Sequence, residues 1–398
     1  AYCLGIEAGM STGTIILRNL TIAISKPSGL IYWSSPDANL HIENTTLENT
    51  TTNTTSICIN CVWTNGPCSR TLTVEGGALR AISYSRAYCV YADHLAYATF
   101  DNCQLTIDGS HYSMIYRLIR GNAVVDMHDC VLNGHGPEDS SVISLTVHKG
   151  TARGGDVSSI QLASTASATN DIYNDWVIYI VSGKGAGQLR LITDYIGSSS
   201  TQDRIAILSS EWNDMPDETS VYHIIPANAK CSQIKIRNCT GSIGMLAQIE
   251  SGISILEITD NSMTLPIDNR SPLGLGLEVD ETPAMLTTNG FPFEHILIAN
   301  NDFVLTGASV THDLFLGMGT DGSIISGNHI LRTSSTTAYG FVIKSNDNTI
   351  RYNVVESGPA ALYVSGGSRN LITNNTFRSK MGTTGQIGVN QDYLYGPP

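Results

Sequence analysis

At 398 residues, with 22 Lys and Arg against 35 Asp and Glu and a net charge of −13, the chain has no basic run, which excludes a nucleic-acid footprint and disfavours anionic membranes. Only 14% of its residues are charged, Gly (37), Asn, Ser and Thr are abundant, and Val and Ile outnumber the strong helix formers in most windows, so the composition is β-rich. Membrane insertion is not expected, because no apolar run reaches roughly 18 residues. The opening Ala1-Tyr2-Cys3-Leu4 lacks a signal-peptide pattern and reads as the start of a processed or truncated product with upstream residues missing.

In chain order, Ile15 to Ile24, Leu40 to Leu47 and Leu72 to Leu79 read as loose apolar coils. Between them lies Cys58-x2-Cys61-x6-Cys68, the one tight group among nine cysteines. With no fourth ligand nearby it is read as a local disulfide or free thiols rather than a zinc site, so no metal is expected. Sequons at Asn19, Asn44, Asn49, Asn53, Asn238, Asn269 and Asn374 are what Asn- and Thr-rich sequence produces by chance.

From Phe100 onward a motif recurs, an apolar strand running into an Asn-centred turn and a second apolar pair. It appears around Asn102, Asp129, Asn238, Asn261, Asn301, Asn328, Asn353 and Asn375, with steps of 27, 23, 40, 27, 25 and 22 residues outside one long gap. A strand, a corner and a strand cannot bury an apolar face alone, so successive coils must stack. Asn suits the left-handed corner, and its amide can bond the next coil's. The reading is a right-handed parallel β-helix, all-β, with coils of about two dozen residues. Cys103, Cys130 and Cys239 each follow a turn residue and are expected to stack as interior packing.

The gap from Asp129 to Asn238 is 109 residues, too long for one coil; removing 150–226 leaves 32. Within that piece Ile160-Gln161-Leu162, Trp176 to Val181, Leu189 to Ile192, Ile205 to Leu208 and Val221 to Ile225 read as strands split by Gly and Ser turns. The division is therefore an N-terminal part of the solenoid (1–149), an inserted small antiparallel β-domain (150–226) and a C-terminal part (227–398).

The stretch Ser158-Ser159-Ile160-Gln161-Leu162-Ala163-Ser164, Asn174-Asp175-Trp176-Val177-Ile178-Tyr179-Ile180, Gly183-Lys184-Gly185-Ala186-Gly187-Gln188 and Ile192-Thr193-Asp194-Tyr195 resembles a small β-module of bacteriophage tail and virion-associated proteins. Its Gly-rich hexapeptide joins two strands rather than opening a helix, which argues against a nucleotide loop. The remaining chain is similar in pattern to pectate-lyase-like β-helices, a superfamily that includes phage tailspikes and polysaccharide lyases and hydrolases. Together these resemblances imply an extracellular, virion-borne tailspike that binds host surface polysaccharide, with depolymerisation an open question. They further imply a homotrimer, other virion tail proteins as partners, and no cofactor. A structural virion protein without a ligand and a secreted bacterial lyase or hydrolase stay open as alternatives.

Candidate catalytic groups are sought where a loop breaks the coil length. The 40-residue step holds Leu277-Glu278-Val279-Asp280-Glu281-Thr282, in which Glu278 and Asp280 share a strand face at a spacing of roughly 6 to 7 Å, suited to an acid and base about a glycosidic bond. Asp313 and Lys344 complete the candidate catalytic set, and Glu281, His312 and Tyr339 the candidate sugar contacts. The competing readings are a solvated acidic loop and a surface cation. Lys344, Ser365 and Met318 share a phase relative to the following Asn, and Phe341 and Tyr363 share another that suggests an interior aromatic ladder. No His-Glu-x-x-His motif is present.

Overall fold

The computed structural model describes the chain apart from residues 1–2, 8–11, 26–28, 53, 62–68, 94, 110–112, 121–123, 136–140, 146–147, 169, 198–203, 227–232, 250–253, 267–272, 276–293, 308–311, 318–319, 335–338, 365–366, 380–386 and 390–398. Among the described residues there is no α-helix, and none long and apolar enough to cross a membrane. The protein is a parallel β-helix carrying an antiparallel insert, with the right-handed winding that parallel crossover connections take.

From Tyr97 onward each coil contributes three strands. A pre-corner strand such as Ile255–Thr259 meets a post-corner strand such as Ser262–Leu265 at the Asn corner, and a third strand such as Leu273–Leu275 closes the coil. Every strand pairs in parallel with its equivalents in the neighbouring coils: Ile258 sits between Ile236 and Ile298, and Met263 opposite Phe303. The two corner-flanking ribbons form one sheet, and the third strands form a twelve-stranded sheet. Alternate side chains from all three line a single interior running from Ile6 to Phe377. Arg70 is fully buried there, its guanidinium over the Trp33 ring and bonded to the Trp33 and Ser35 carbonyls.

The corner explains the repeat and corrects its phase. The left-handed residue is Asn102, Asp129, Asn238, Asp260 or Asn300, with Gly327 and Tyr352 taking the same place further on. The residue after it points inward. From Asn261 onward that inward residue is Asn, and the amides form a ladder. Nδ2 of Asn261, Asn301, Asn328 and Asn353 donates to Oδ1 of the next rung at 2.9, 2.8, 2.9 and 2.9 Å. Each ladder Nδ2 also donates to a carbonyl further back, as Asn328 does to Ile298 at 2.9 Å. The 23-residue step from Asn238 to Asn261 had therefore run from a left-handed residue to a ladder residue, and Cys239 is the true equivalent of Asn261. Cys103, Cys130 and Cys239 continue the same column: Sγ of Cys103 and Cys130 are 3.5 Å apart, and Cys239 N donates to Asn261 Oδ1. A shorter amide ladder, which the sequence did not single out, occupies another corner, with Ser323 N donating to Asn348 and Asn348 to Asn370.

Cys58, Cys61, Cys89, Cys103, Cys130 and Cys239 are buried, while Cys3 is exposed. Burial pushes the Cys58 thiol up to about 12, so it is inert rather than nucleophilic. Cys68 lies outside the described residues.

The insert runs from His148–Thr151 to Val221–Pro226 as a seven-stranded antiparallel sheet. It interrupts nothing in the solenoid, since Ser141–Leu145 pairs directly with Met245–Ile249 across it. Its core is separate and aromatic, built on Tyr173, Trp176, Tyr195, Trp212 and Tyr222. The Gly-rich hexapeptide is its sharpest turn. Gly183, Gly185 and Gly187 all have positive φ, and Gln188 clasps the opposite loop through Asn213 N at 2.6 Å and Asp214 O at 2.6 Å.

Candidate functional site

Of the groups expected to form a catalytic set, Asp313 and Lys344 fall among the described residues. Glu278, Asp280 and Glu281 lie outside the described residues, as do Met318 and Ser365. His312 heads a third-sheet strand opposite Tyr339, and its ring too is outside the described atoms. Asp313 is the clearest departure from expectation, because its carboxylate is buried in the solenoid rather than facing a groove. Arg332 donates to it through Nε at 2.9 Å and through Nη2, and Ser357 Oγ donates to its other oxygen at 2.6 Å. Burial pushes the Asp313 carboxyl up, opposed by the charge and hydrogen bonds of Arg332. A carboxylate with both oxygens engaged in a dry interior is a structural partner for Arg332 and is closed to a sugar.

Lys344 is half-buried at the end of strand Tyr339–Ile343, its backbone N bonded to Leu316 O. Tyr339 is half-buried and stacks on Tyr363, ring centres 4.9 Å apart and planes 20° from parallel. The shared phase of Phe341 and Tyr363 does not survive. Phe341 pairs with Leu362 and points inward, while Tyr363 pairs with Val342 and is half-buried on the outer face. The stretch from this strand to the following Asn is one residue longer in that coil, 13 from Leu362 to Asn375 against 12 from Phe341 to Asn353, so the residue twelve before the Asn falls on the other face.

The feature that sequence reading missed lies on the outer face of the third sheet near its N-terminal end. Ile31 and Trp33, Ile59 and Cys61, and Val90 and Ala92 point into the core, so the residues between them, Tyr32, Asn60 and Tyr91, point out. In-register pairing puts them in one column: Gly5 opposite Tyr32, Tyr32 opposite Asn60, Asn60 opposite Tyr91, Tyr91 opposite Arg117. All four side chains from Tyr32 to Arg117 are half-buried. A neighbouring column of Ile57, Tyr88 and Met114 forms a small apolar cluster of its own, against which Tyr91 packs. Arg117 ties the two columns together. Its Nη1 donates to Tyr88 Oη at 2.6 Å, and its guanidinium carbon lies 5.3 Å from the Tyr88 ring centre and 5.5 Å from that of Tyr91. The two rings meet edge to face at 5.6 Å. The available signal was the alternation in Ile31-Tyr32-Trp33 and in Val90-Tyr91-Ala92, with a polar-tipped side chain between two core residues.

One further cluster has metal-donor chemistry. Asp101, His128 and Asp129 hold their donor atoms within 4.8 Å of one another on the outside of the Asn corner. His128 Nδ1 lies 3.2 Å from Asp101 and 3.3 Å from Asp129, while Asn238 donates to Asp129. The hydrogen bonds from Asn238 and His128 hold the Asp129 carboxyl below the ordinary range. Among the described residues the imidazole and Asn238 are the partners of these carboxylates.

Residues 293–393 match the family model described as periplasmic copper-binding protein (NosD). No curated protein matches the chain. The matched stretch covers the last coils of the solenoid, with strands from His295–Ala299 to Ile387–Val389. Its described residues do not fit a copper centre: His329 is engaged with Asp302 at 2.9 Å, and no three His, Cys, Asp or Glu side chains described there converge. What the match and the strand pairing agree on is the architecture, a β-helix whose last coils share the pattern of a periplasmic family.

Proposed function

We propose that this protein is a glycan-binding β-helix that works outside the cytoplasm, with a polysaccharide lying along the outer face of the third sheet over Tyr32, Asn60, Tyr91 and Arg117. The observation that carries this reading is the in-register column itself. Tyrosine rings stack on sugar faces, and an amide and a guanidinium between them bond hydroxyls. Rungs repeat every ~4.8 Å, so the column offers a regularly spaced series of contacts to a polymer that is itself a repeat. The family match, to proteins described as periplasmic, supports the extracytoplasmic placement and favours a secreted bacterial protein over a virion spike.

The test is affinity electrophoresis of the purified protein through gels containing a panel of bacterial and plant polysaccharides. Retardation by at least one, weakened about tenfold by Tyr91→Ala, is the expected result, from the loss of one stacking contact. No retardation by any of them would remove the reading. Whether the bound chain is cut is a separate measurement, of reducing ends and of the ultraviolet absorbance of an unsaturated product. Cleavage would rest on Glu278, Asp280 and Lys344, since Asp313 is committed to Arg332.

The virion-borne reading is kept as a second proposal because the insert resembles a phage tail module. It carries the homotrimer and the tail-protein partners with it. Light scattering that returns a monomer would count against it and leave glycan binding untouched.

A further inference from the structure

We infer that Arg117 is an anion-recognition group and that the glycan this face takes is acidic, presenting a carboxylate to the guanidinium beside the insert; the inference rests on the glycan-binding reading above. The chain holds 35 acidic residues against 22 basic ones. Four outward arginines of the solenoid hold a carboxylate of a neighbouring coil, Arg18 with Glu43, Arg237 with Asp126, Arg369 with Asp347 and Arg378 with Glu356, all at 2.6 Å. Arg351 lies over the Tyr352 ring instead, and Arg117 is likewise held by aromatic side chains. Among the described residues its partners are the Tyr88 hydroxyl and the faces of Tyr88 and Tyr91, with no carboxylate.

Among the described residues one edge of the guanidinium has no partner. One nitrogen, Nη1, is spent on Tyr88, and the two rings hold the planar group in place, while Arg117 keeps contact with solvent. The remaining N–H groups form the fork that fits a carboxylate with two parallel hydrogen bonds, and a pre-positioned guanidinium loses little rotamer freedom on binding. Partial burial among aromatic rings lowers the local dielectric and strengthens such a pair relative to one in open water.

The insert adds to the same place. It leaves the solenoid after Ser141–Leu145, the third-sheet strand that pairs with Arg117's own, and Arg117 opposes Ser144. Its Tyr173 phenol is pushed up by burial, opposed by the charges of Arg204 and Arg117. The neighbouring tyrosines make the ligand a sugar acid rather than a bare anion, since they supply ring surface next to the charge.

The experiment is calorimetric titration of the intact chain with oligogalacturonate and oligomannuronate, with the methyl esters of each, and with a neutral cello-oligosaccharide of equal length. Wild type is expected to bind at least one uronate roughly 10- to 100-fold more tightly than its methyl ester, which is what a charge-assisted pair contributes. Arg117→Gln should erase that preference, lowering uronate affinity far more than ester affinity at an unchanged thermal melt, and Arg117→Lys should restore part of it. Raised salt should weaken uronate binding and spare the ester. Equal affinity for acid and ester in wild type, or a preference that survives Arg117→Gln, would overturn the inference and leave the glycan face standing. Binding to none of the five ligands, together with no retardation in the polysaccharide gels, would overturn both. Should Arg117→Gln melt early, Tyr88→Phe, which removes the hydroxyl that orients the guanidinium, serves as the second variant and should narrow the acid–ester gap.

Discussion

The solenoid and its insert solve the same problem, burying polar groups, in opposite ways. The solenoid does it by repetition: each ladder Asn satisfies its neighbour and is satisfied in turn, so the cost of an interior amide is met by stacking identical coils. The insert has no repeat to draw on. It holds single histidines neutral, half-buried His148 against Tyr173 with its Nε2 at 3.0 Å from the Tyr222 hydroxyl, and buried His223 within the same sheet. The difference teaches that a polar interior is tolerant of pH when it is built from amides and sensitive when it is built from imidazoles.

The sharpest way to break this comparison is at the one buried charge pair of the solenoid among the described ion pairs. Asp313→Ala would leave Arg332 buried with its charge unmatched, and should cost about 3–5 kcal/mol in denaturant unfolding. Replacing both, as Asp313→Leu with Arg332→Met, should recover most of it. A single-variant loss below about 1 kcal/mol would show that water reaches Arg332.

Next comes the ladder. Asn328→Ala removes the acceptor for Asn301 and the donor to Ile298, leaving buried backbone groups without partners, and should cost about 3 kcal/mol. Asn328→Cys imports the side chain that holds this position in the Cys103 to Cys239 rungs. Because those rungs manage without amides, it should cost clearly less than alanine. Equal costs would mean that the thiol column is mere filling.

The insert should fail first in acid. His148 is held at about 4 by burial, and His223 at about 4 by burial together with Lys149 and His148. The unfolded chain, with imidazoles near 6.5, takes up protons before the folded one does. The stability contributed by the two neutral rings is therefore complete above about pH 6.5 and is lost as pH falls toward 4, at about 2 kcal/mol each after discounting partial solvent contact. Limited proteolysis across that range should cut within 148–226 while the solenoid stays intact. His148→Phe should move the onset of cutting downward in pH. At the bottom of the scale, Arg369→Ala removes an exposed pair with Asp347 and should leave the melting temperature where it was.

The corner residues made the solenoid legible because stacking demands the same side chain at the same place in every coil. Asn261, Asn301, Asn328, Asn353 and Asn375 announce themselves on that account. The insert was legible through interruption, as a stretch whose removal returns the next corner to step. The phase of the Cys rungs was misread by one residue, since Asn238 and Asn261 are both Asn yet one turns the chain and the other bonds the ladder. Asp313 was misassigned because a carboxylate in sequence carries no sign of which way its strand faces, and here the facing side is occupied by Arg332 from another ribbon.

By itself, then, the order of residues determined a wound β-architecture and where its corner spacing breaks, since each follows from local pattern and spacing. It did not determine the face on which a ligand would lie. Tyr32, Asn60, Tyr91 and Arg117 are 28, 31 and 26 residues apart, intervals with no common period, because loops of different length separate them. Only the hydrogen-bonded register between coils absorbs those differences and sets the four side chains one above another, and a one-residue slip in any coil would turn its member inward.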